Sequence, residues 1–424
     1  MLDEGKLKVF MASFSFKRGG AAKAAKRFCF IASNLALVNS FSVEESPRKI
    51  YRIYHFLKRL ISFSFVYFFQ RQAGVKCSAN FFSFQPLVNV FIKSEGLTHF
   101  HWINNDAVSI YDFEKLPYAS ILTLHDEWFY CGIEHYFSID NTFESSPYCL
   151  GNSTSLGEFQ SYLHYYVWKT KKHALSSRSD LIVTCPSIWL ANRAKNSYVF
   201  ESCDVRVLYN PINVDIFAPL DSASLNRRRD ECALENRFLI LFGAVGGTRN
   251  KLKGFAELLE ALELLARNSS LKSKVMLGLF GGEKQGIKEL HSFPVHEFGY
   301  IKSEQEMAEI YSTAHVTLVP SKLEAFGQVA AESQACGTPV IAFNTSGLKD
   351  VVIDGKTGLL AVPFSSVSLA EKIEQILNMP SEKYSQLCKD ARLHVIETFS
   401  NAVISQQYES IIKEQLLKKQ EANK

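Results

Sequence analysis

The sequence predicts an α/β fold made of two doubly wound domains, and three observations support this prediction. At 424 residues the chain is long for one domain and suits two of about 200 residues. Short apolar runs typical of buried strands alternate with helix-forming segments along most of the chain. Such alternation favours parallel sheets whose strands are joined by right-handed helical crossovers.

Composition narrows the class of protein. The apolar content of 47% is ordinary for a globular enzyme. Nine cysteines are scattered without paired spacing, so we expect no disulfide framework. No run of 18 apolar residues occurs, so we expect no transmembrane helix and a cytoplasmic location.

Charge is distributed unevenly along the chain. Residues 1–210 contain 23 lysines and arginines against 17 acids, a net of +6, and the rest contains 24 against 26, a net of −2. A basic N-terminal half suits acidic lipids or a phosphate-bearing partner. No nucleic-acid-binding motif accompanies it, so nucleic acid is not an expected partner.

The first predicted domain, residues 1–211, opens with a strand at residues 6–13. A loop follows to Gly20, and residues 21–37 have the composition of a helix. Gly20 therefore lies at a strand-to-helix turn, where a glycine lets the backbone approach a ligand closely.

The segment from Arg48 to Arg71 combines six basic residues with eight tyrosines and phenylalanines and contains no acid. One interpretation is an amphipathic helix that lies on the inner face of an anionic membrane. The alternative is a core-facing helix followed by a buried strand, with a solvated basic face. The sequence leaves both open.

Further strands are expected at residues 97–103, 121–124 and 181–185. His125 follows the second of these, so it should face the crevice at the carboxyl end of the sheet. Cys131, His135 and Cys149 lie in the following loop, but without the spacing of a metal site, so we expect free thiols and no metal.

The second predicted domain, residues 212–395, follows a stiff linker at Pro211. Its first strand, residues 238–243, ends at Gly243 and enters a polar loop that contains Arg249, Lys251 and Lys253. Cations at the carboxyl end of a strand can stabilise the negative charge of a diphosphate. The remaining residues, 396–424, read as a C-terminal helix that returns to the first domain.

The most informative stretch joins the predicted strands at 316–319 and 338–343. It contains Glu324 in a loop, then Phe326, Gly327 and Gln328 at the start of a helix, and Glu332 inside that helix. Unpaired N–H groups at a helix start suit a diphosphate. A carboxylate on either side can accept hydrogen bonds from the vicinal hydroxyls of a hexose or a ribose.

These residues, with ACGTPV at 335–340 and TSGLKDVVIDGKTGLL at 345–360, resemble the signature of retaining glycosyltransferases of family 4. The resemblance extends to the branch that builds colanic-acid, capsule and O-antigen polysaccharides. It implies the GT-B fold, in which two Rossmann-like domains face each other across a donor cleft. Ala244 stands where most of the family has arginine, so Arg249 or Lys251 would supply that cation.

The resemblance also implies roles for the site residues. Glu324 would hold the donor sugar, Glu332 the ribose, and Lys253 with Arg249 or Lys251 the diphosphate. His125 would orient the sugar, and Gly20 would approach the donor phosphates or the acceptor. The expected partners are a nucleotide-diphosphate sugar and a glycan or lipid-linked glycan acceptor, with no cofactor. A sugar-nucleotide epimerase and a non-catalytic scaffold of a polysaccharide-assembly complex remain alternatives.

Overall fold

A computed structural model describes residues 7–69, 76–136, 158–234, 236–243, 251–281 and 293–422. The chain divides into two compact units. The first consists of Met1–Asn210 together with Ile404–Lys424, and the second of Pro211–Val403. The chain thus enters the second unit at Pro211, the proline on which the predicted boundary rests.

The first unit is built on a six-stranded sheet in which every neighbouring pair is parallel. The strands lie in the order β2-β1-β3-β4-β5-β6. Their bounds are β1 Lys8–Ser13, β2 Leu37–Ser42, β3 Leu97–His101, β4 Ile121–Thr123, β5 Ile182–Cys185 and β6 Asp204–Val207. The order reverses direction between β1 and β3, which is where open α/β sheets bind ligands.

Helices connect these strands, as parallel pairing requires. They are α1 Gly20–Ser33, α2 Lys49–Phe69, α3 Gln85–Ile92, α4 Glu158–Leu175 and α5 Ile188–Lys195, with a 3₁₀ segment at Ile110–Lys115. Gly19, at φ +90°, precedes α1, so a glycine suits this turn.

The second unit repeats the plan with another all-parallel sheet, in the order β12-β11-β10-β7-β8-β9. Its strands are β7 Phe238–Gly243, β8 Val275–Phe280, β9 Val295–Gly299, β10 Val316–Val319, β11 Val340–Phe343 and β12 Gly358–Ala361. Here the order reverses between β7 and β10. The ends of these two strands are therefore the favoured ligand position.

Nine further helices of the described residues follow α5. They are α6 Ser222–Glu231, α7 Phe255–Ala266, α8 Ser269–Lys274, α9 Glu304–Thr313, α10 Gln328–Ala335, α11 Leu348–Val351, α12 Ser366–Leu377, α13 Ser381–Phe399 and α14 Asn401–Ala422. The predicted boundary at residue 396 falls inside α13. Helix α14 carries Ile404, Tyr408 and Ile412 into the core of the first unit, against strands β1 and β3.

Two local predictions need correction. The helix predicted for residues 21–37 ends at Ser33, and β2 follows it at Leu37. The alternative of a helix followed by a buried strand after Arg48 is wrong, because one continuous helix, α2, runs to Phe69. Within the described part of the chain, no helix has the length and hydrophobicity needed to cross a membrane.

Candidate functional site

The loop after β7 packs against the loop after β10. Gly254 has φ +65°, and a Cβ atom at this position would lie 1.8 Å from the carbonyl oxygen of Pro320. A glycine is therefore required here. The Lys322 N–H donates a hydrogen bond of 2.8 Å to the carbonyl of Leu252 and joins the two loops.

This packing brings Lys253 and Glu324 together. The Lys253 ammonium lies 2.5 Å from the Glu324 carboxylate, and the Ser321 hydroxyl donates to the same carboxylate oxygen at 2.9 Å. The two side chains are 36% and 19% exposed, so both meet solvent. A cation and a carboxylate thus stand side by side at the switch point of the second sheet.

The backbone of Glu324 is fixed by the loop after β11. Its N–H donates to the Ser346 hydroxyl at 3.0 Å, and its carbonyl accepts from the Gly347 N–H at 3.0 Å. A Cβ atom on Gly347 would lie 2.6 Å from the carbonyl of Ala325. Sequence reasoning missed Ser321 and Ser346, although both belong to stretches that it singled out.

Helix α10 begins directly after this loop. Gly327 caps it at φ +107°, and a Cβ atom there would lie 2.8 Å from Leu348. The helix proper starts at Gln328, which is half-buried. The Phe326 ring is buried, with its centroid 5.3 Å from that of Phe399. The Phe326 ring is therefore part of the packing around the helix start.

Glu332 lies in the second turn of α10. It is only 2% exposed, and its carboxylate accepts a hydrogen bond of 3.3 Å from the Tyr311 hydroxyl. Glu332 is therefore not a solvated surface charge. A buried carboxylate needs hydrogen-bond donors, and its contact with a ribose stays a prediction.

The other predicted cations fall partly outside the described residues. Gly243 ends β7, and a Cβ atom there would lie 2.8 Å from the Phe280 ring, so the strand end is closely packed. Arg249 lies outside the described residues. Lys251 begins a 3₁₀ turn that ends at Lys253, and only its backbone is described.

In the first unit, His125 follows β4 and is half-buried. Its Nε2 atom lies 3.0 Å from the Nδ1 atom of His101, which ends β3. Burial lowers the pKa of His125 to about 4, although the charge of Asp126 partly opposes this shift. His125 is therefore neutral near pH 7 and can exchange hydrogen bonds with a hydroxyl without carrying charge.

A further histidine, His99, packs against His101. The ring of His99 lies 4.0 Å from that of His101 between centroids. His99 bonds to Thr123 at 2.6 Å and to the Tyr408 hydroxyl at 2.7 Å. Tyr408 belongs to α14, so the C-terminal helix takes part in this buried network.

Cys131 and His135, in the loop that follows His125, have structural roles. His135 pairs with Asp126 at 2.6 Å and with the Ser78 hydroxyl at 2.8 Å. Burial raises the pKa of the Cys131 thiol well above its usual value. Cys149 lies outside the described residues, and among those described no cluster of potential metal ligands is found.

Comparison with known proteins finds a family that matches part of the chain. Residues 232–394, most of the second unit, match the family described as "Glycosyl transferases group 1". A D-inositol 3-phosphate glycosyltransferase of Corynebacterium jeikeium is 35% identical over 173 residues, which are 38% of this chain and 41% of that protein. The chain spans less than half the length of the relatives of this name that it matches.

Solved structures match over almost the whole chain. Sucrose-phosphate synthase from Thermosynechococcus elongatus aligns with a TM-score of 0.66 at 19% identity and covers 97% of this chain and 100% of its own. HepE of Anabaena, in complex with UDP and glucose, aligns with a TM-score of 0.60 at 16% identity, covering 96% and 99%. The chain therefore has the GT-B fold of two Rossmann-like units, and its residues 232–394 match the group 1 glycosyltransferases.

Proposed function

We propose that this protein transfers a hexose-type sugar from a nucleotide-diphosphate donor to a hydroxyl group of a glycan or lipid-linked glycan, with retention at the anomeric carbon. The observation that carries the proposal is the Lys253–Glu324 pair at the switch point between β7 and β10. It offers a cation for a diphosphate next to a carboxylate for sugar hydroxyls.

Lys253 would bind the leaving diphosphate, with Arg249 or Lys251 as a second cation. As the bond between the anomeric carbon and the phosphate oxygen breaks, negative charge grows on the diphosphate, and a nearby ammonium stabilises it. The start of α10, at Gly327 and Gln328, would add backbone N–H groups directed at the same phosphates.

Glu324 would accept hydrogen bonds from the sugar hydroxyls. Its backbone is held by Ser346 and Gly347, so its position does not depend on the ligand. Glu332 would bind the ribose and His125 would orient the sugar. The acceptor oxygen bonds to the anomeric carbon, and its proton passes to the departing phosphate, so no side chain needs to act as base.

The acceptor class follows from the sequence resemblance to polysaccharide-building enzymes. Relatives named D-inositol 3-phosphate glycosyltransferase suggest another acceptor, but they match less than half of this chain. We therefore propose that the sugar transfer takes place in the cytoplasm and belongs to surface polysaccharide biosynthesis. The epimerase alternative predicts that a sugar nucleotide incubated alone with the protein isomerises. The scaffold alternative predicts that no nucleotide binds.

The test combines a binding screen with one substitution. UDP, GDP, ADP and their sugars are compared by thermal unfolding, because a ligand that binds the folded state stabilises it by about 2.7 kcal/mol at a hundredfold excess over Kd. Glu324→Gln should then lower turnover by roughly ten- to a hundredfold, the cost of a hydrogen bond to a charged group, while nucleoside diphosphate binding survives.

The matched control is Glu374→Gln, on the exposed face of α12, which should leave turnover unchanged. Near-normal turnover of Glu324→Gln would remove this carboxylate from the site. If none of the nucleotides shifts the unfolding of the wild-type protein, the proposed function is refuted.

A further inference from the structure

Helix α2, Lys49–Phe69, turns its large apolar side chains outward. Ile50, Tyr67 and Phe68 are 75%, 79% and 77% exposed. Nine more large apolar residues of the same helix are also exposed, namely Tyr51, Ile53, Tyr54, Phe56, Leu57, Leu60, Ile61, Phe63 and Phe65. A helix on the surface of a globular protein normally turns its apolar stripe toward the core.

The opposite face of α2 attaches it to the first unit. His55, Ser62 and Val66 are buried, and the Ser62 hydroxyl donates to the Asp106 carboxylate at 3.0 Å. The His55 ring packs edge-on against Phe84, with 5.3 Å between centroids. The helix therefore uses a largely polar face for internal contacts, and specific bonds set its rotation. The exposed apolar face is a consequence of that rotation.

Basic residues border this apolar face. At 100° per residue, Arg52 falls on one edge of the exposed face and Lys58 on the other, whereas Arg59 is half-buried with its guanidinium 4.9 Å from the centre of the Phe14 ring. Arg48 and Lys49 are exposed at the start of the helix, and no acid occurs between Arg48 and Phe69. An apolar face bordered by lysine and arginine is the pattern of a helix that lies in the interface of an anionic bilayer.

We propose that α2 docks this protein onto an anionic membrane surface, lying parallel to it with the face that contains Ile53, Leu57 and Ile61 among the lipids. The basic borders would meet the lipid phosphates. The α2 helix of a second copy would present the same cations and no acid, so charge complementarity favours an anionic membrane over a second α2. This inference rests on α2 alone and holds whether or not the proposed sugar transfer is correct.

The experiment measures co-sedimentation of the full chain with vesicles of phosphatidylcholine, with and without phosphatidylglycerol, at low and high salt. The wild type should bind the anionic vesicles and be released by salt. Combining Arg48→Gln, Lys49→Gln and Arg52→Gln should weaken binding roughly a hundredfold, since each basic residue near such a surface contributes about fivefold.

A second variant removes the apolar contact and keeps the charge. Ile53→Gln, Leu57→Gln and Ile61→Gln together should greatly weaken binding even at high anionic lipid content. Undiminished binding of this variant would mean that charge alone holds the protein on the membrane. All three sites are exposed, and glutamine is a good helix former, so the thermal unfolding midpoint should not fall. The matched charge control is Lys272→Gln, Lys274→Gln and Lys383→Gln, three exposed sites of the second unit, and it should bind like the wild type.

Three results would overturn the proposal. The first is a wild-type protein that stays in the supernatant with anionic vesicles at low salt. The second is a charge control that loses as much binding as the α2 charge variant, which would mean that the net charge of the protein, and not α2, determines binding. A wild-type dimer that the apolar variant converts to a monomer, together with no vesicle binding, would assign the face to a second copy of the chain.

Discussion

Replacing Lys253 with alanine separates the proposed ligand role of this residue from a structural one. In the free protein its ammonium pairs with Glu324, but the two side chains are 36% and 19% exposed. An ion pair that meets solvent contributes about 0–1 kcal/mol to stability. Lys253→Ala should therefore lower the free energy of unfolding by less than about 1 kcal/mol.

The loss of affinity for a diphosphate should be larger. A hydrogen bond to a charged group contributes about 1.5–3 kcal/mol, which is roughly ten- to 150-fold in Kd. Calorimetry with the nucleoside diphosphate that the unfolding screen selects, and with its monophosphate, should show this loss mainly for the diphosphate, because Lys253 is assigned to that group. Equal losses for the two nucleotides would refute the assignment.

The chain contains a matched control for this substitution. Lys322 lies in the neighbouring loop and pairs with Glu257 at 2.5 Å, with side chains 28% and 15% exposed. Lys322→Ala should therefore have a similar small effect on stability and leave the affinity for the nucleoside diphosphate within about twofold of the wild type. If Lys322→Ala weakens binding of the nucleoside diphosphate as much as Lys253→Ala does, the loss reflects the positive charge of these loops in general and not a contact of Lys253.

Two further predictions concern stability. In chemical denaturation, Gly254→Ala should destabilise the protein by several kcal/mol more than Gly355→Ala. Both glycines have positive φ, but only at Gly254 would a Cβ atom meet the backbone, 1.8 Å from the carbonyl oxygen of Pro320. Equal losses of stability for the two variants would contradict this close contact. Lowering the pH from 7 to 5 should reduce the free energy of unfolding by up to roughly 2 kcal/mol for each of His99 and His125. Burial lowers the pKa of His99 to about 3 and of His125 to about 4, so only the unfolded chain gains these protons between pH 6.5 and the folded values. A free energy of unfolding that stays constant between pH 7 and pH 5 would show that these rings gain their protons in the folded protein as well.

Much of the fold could be predicted because buried parallel strands leave a clear pattern. The runs at Phe238–Gly243 and Val316–Val319 are continuous apolar stretches bounded by polar loops, and both strands have the predicted bounds. Strand β2, LVNSFS, was missed because it lies at the edge of its sheet. Most of its side chains are partly or fully exposed, so its sequence is mixed and the preceding helix appeared to continue through it.

The orientation of α2 could not be predicted for a related reason. Periodicity reveals that one side of a helix is apolar, but the usual assumption is that this side faces the core. Here His55 and Ser62 form inner contacts, although polar residue types of this kind are usually expected at the surface. Only the three-dimensional contacts with Phe84 and Asp106 reveal which side is turned inward.

The candidate site depends on sheet order more than on any single motif. Lys253 and Glu324 are 71 residues apart, and they meet because β10 pairs with β7 rather than with β9, the strand that precedes it in the chain. The motif around Glu324 predicted a carboxylate at a strand end, and the loop after β7 predicted a cation at another. Their contact also needs two close backbone approaches, of Gly254 to Pro320 and of Gly347 to Ala325. Glycines at these points are easily taken for ordinary turns, whereas here each one removes a side chain that would hold the loops apart. The position of the charged pair is thus set by residues that carry no charge.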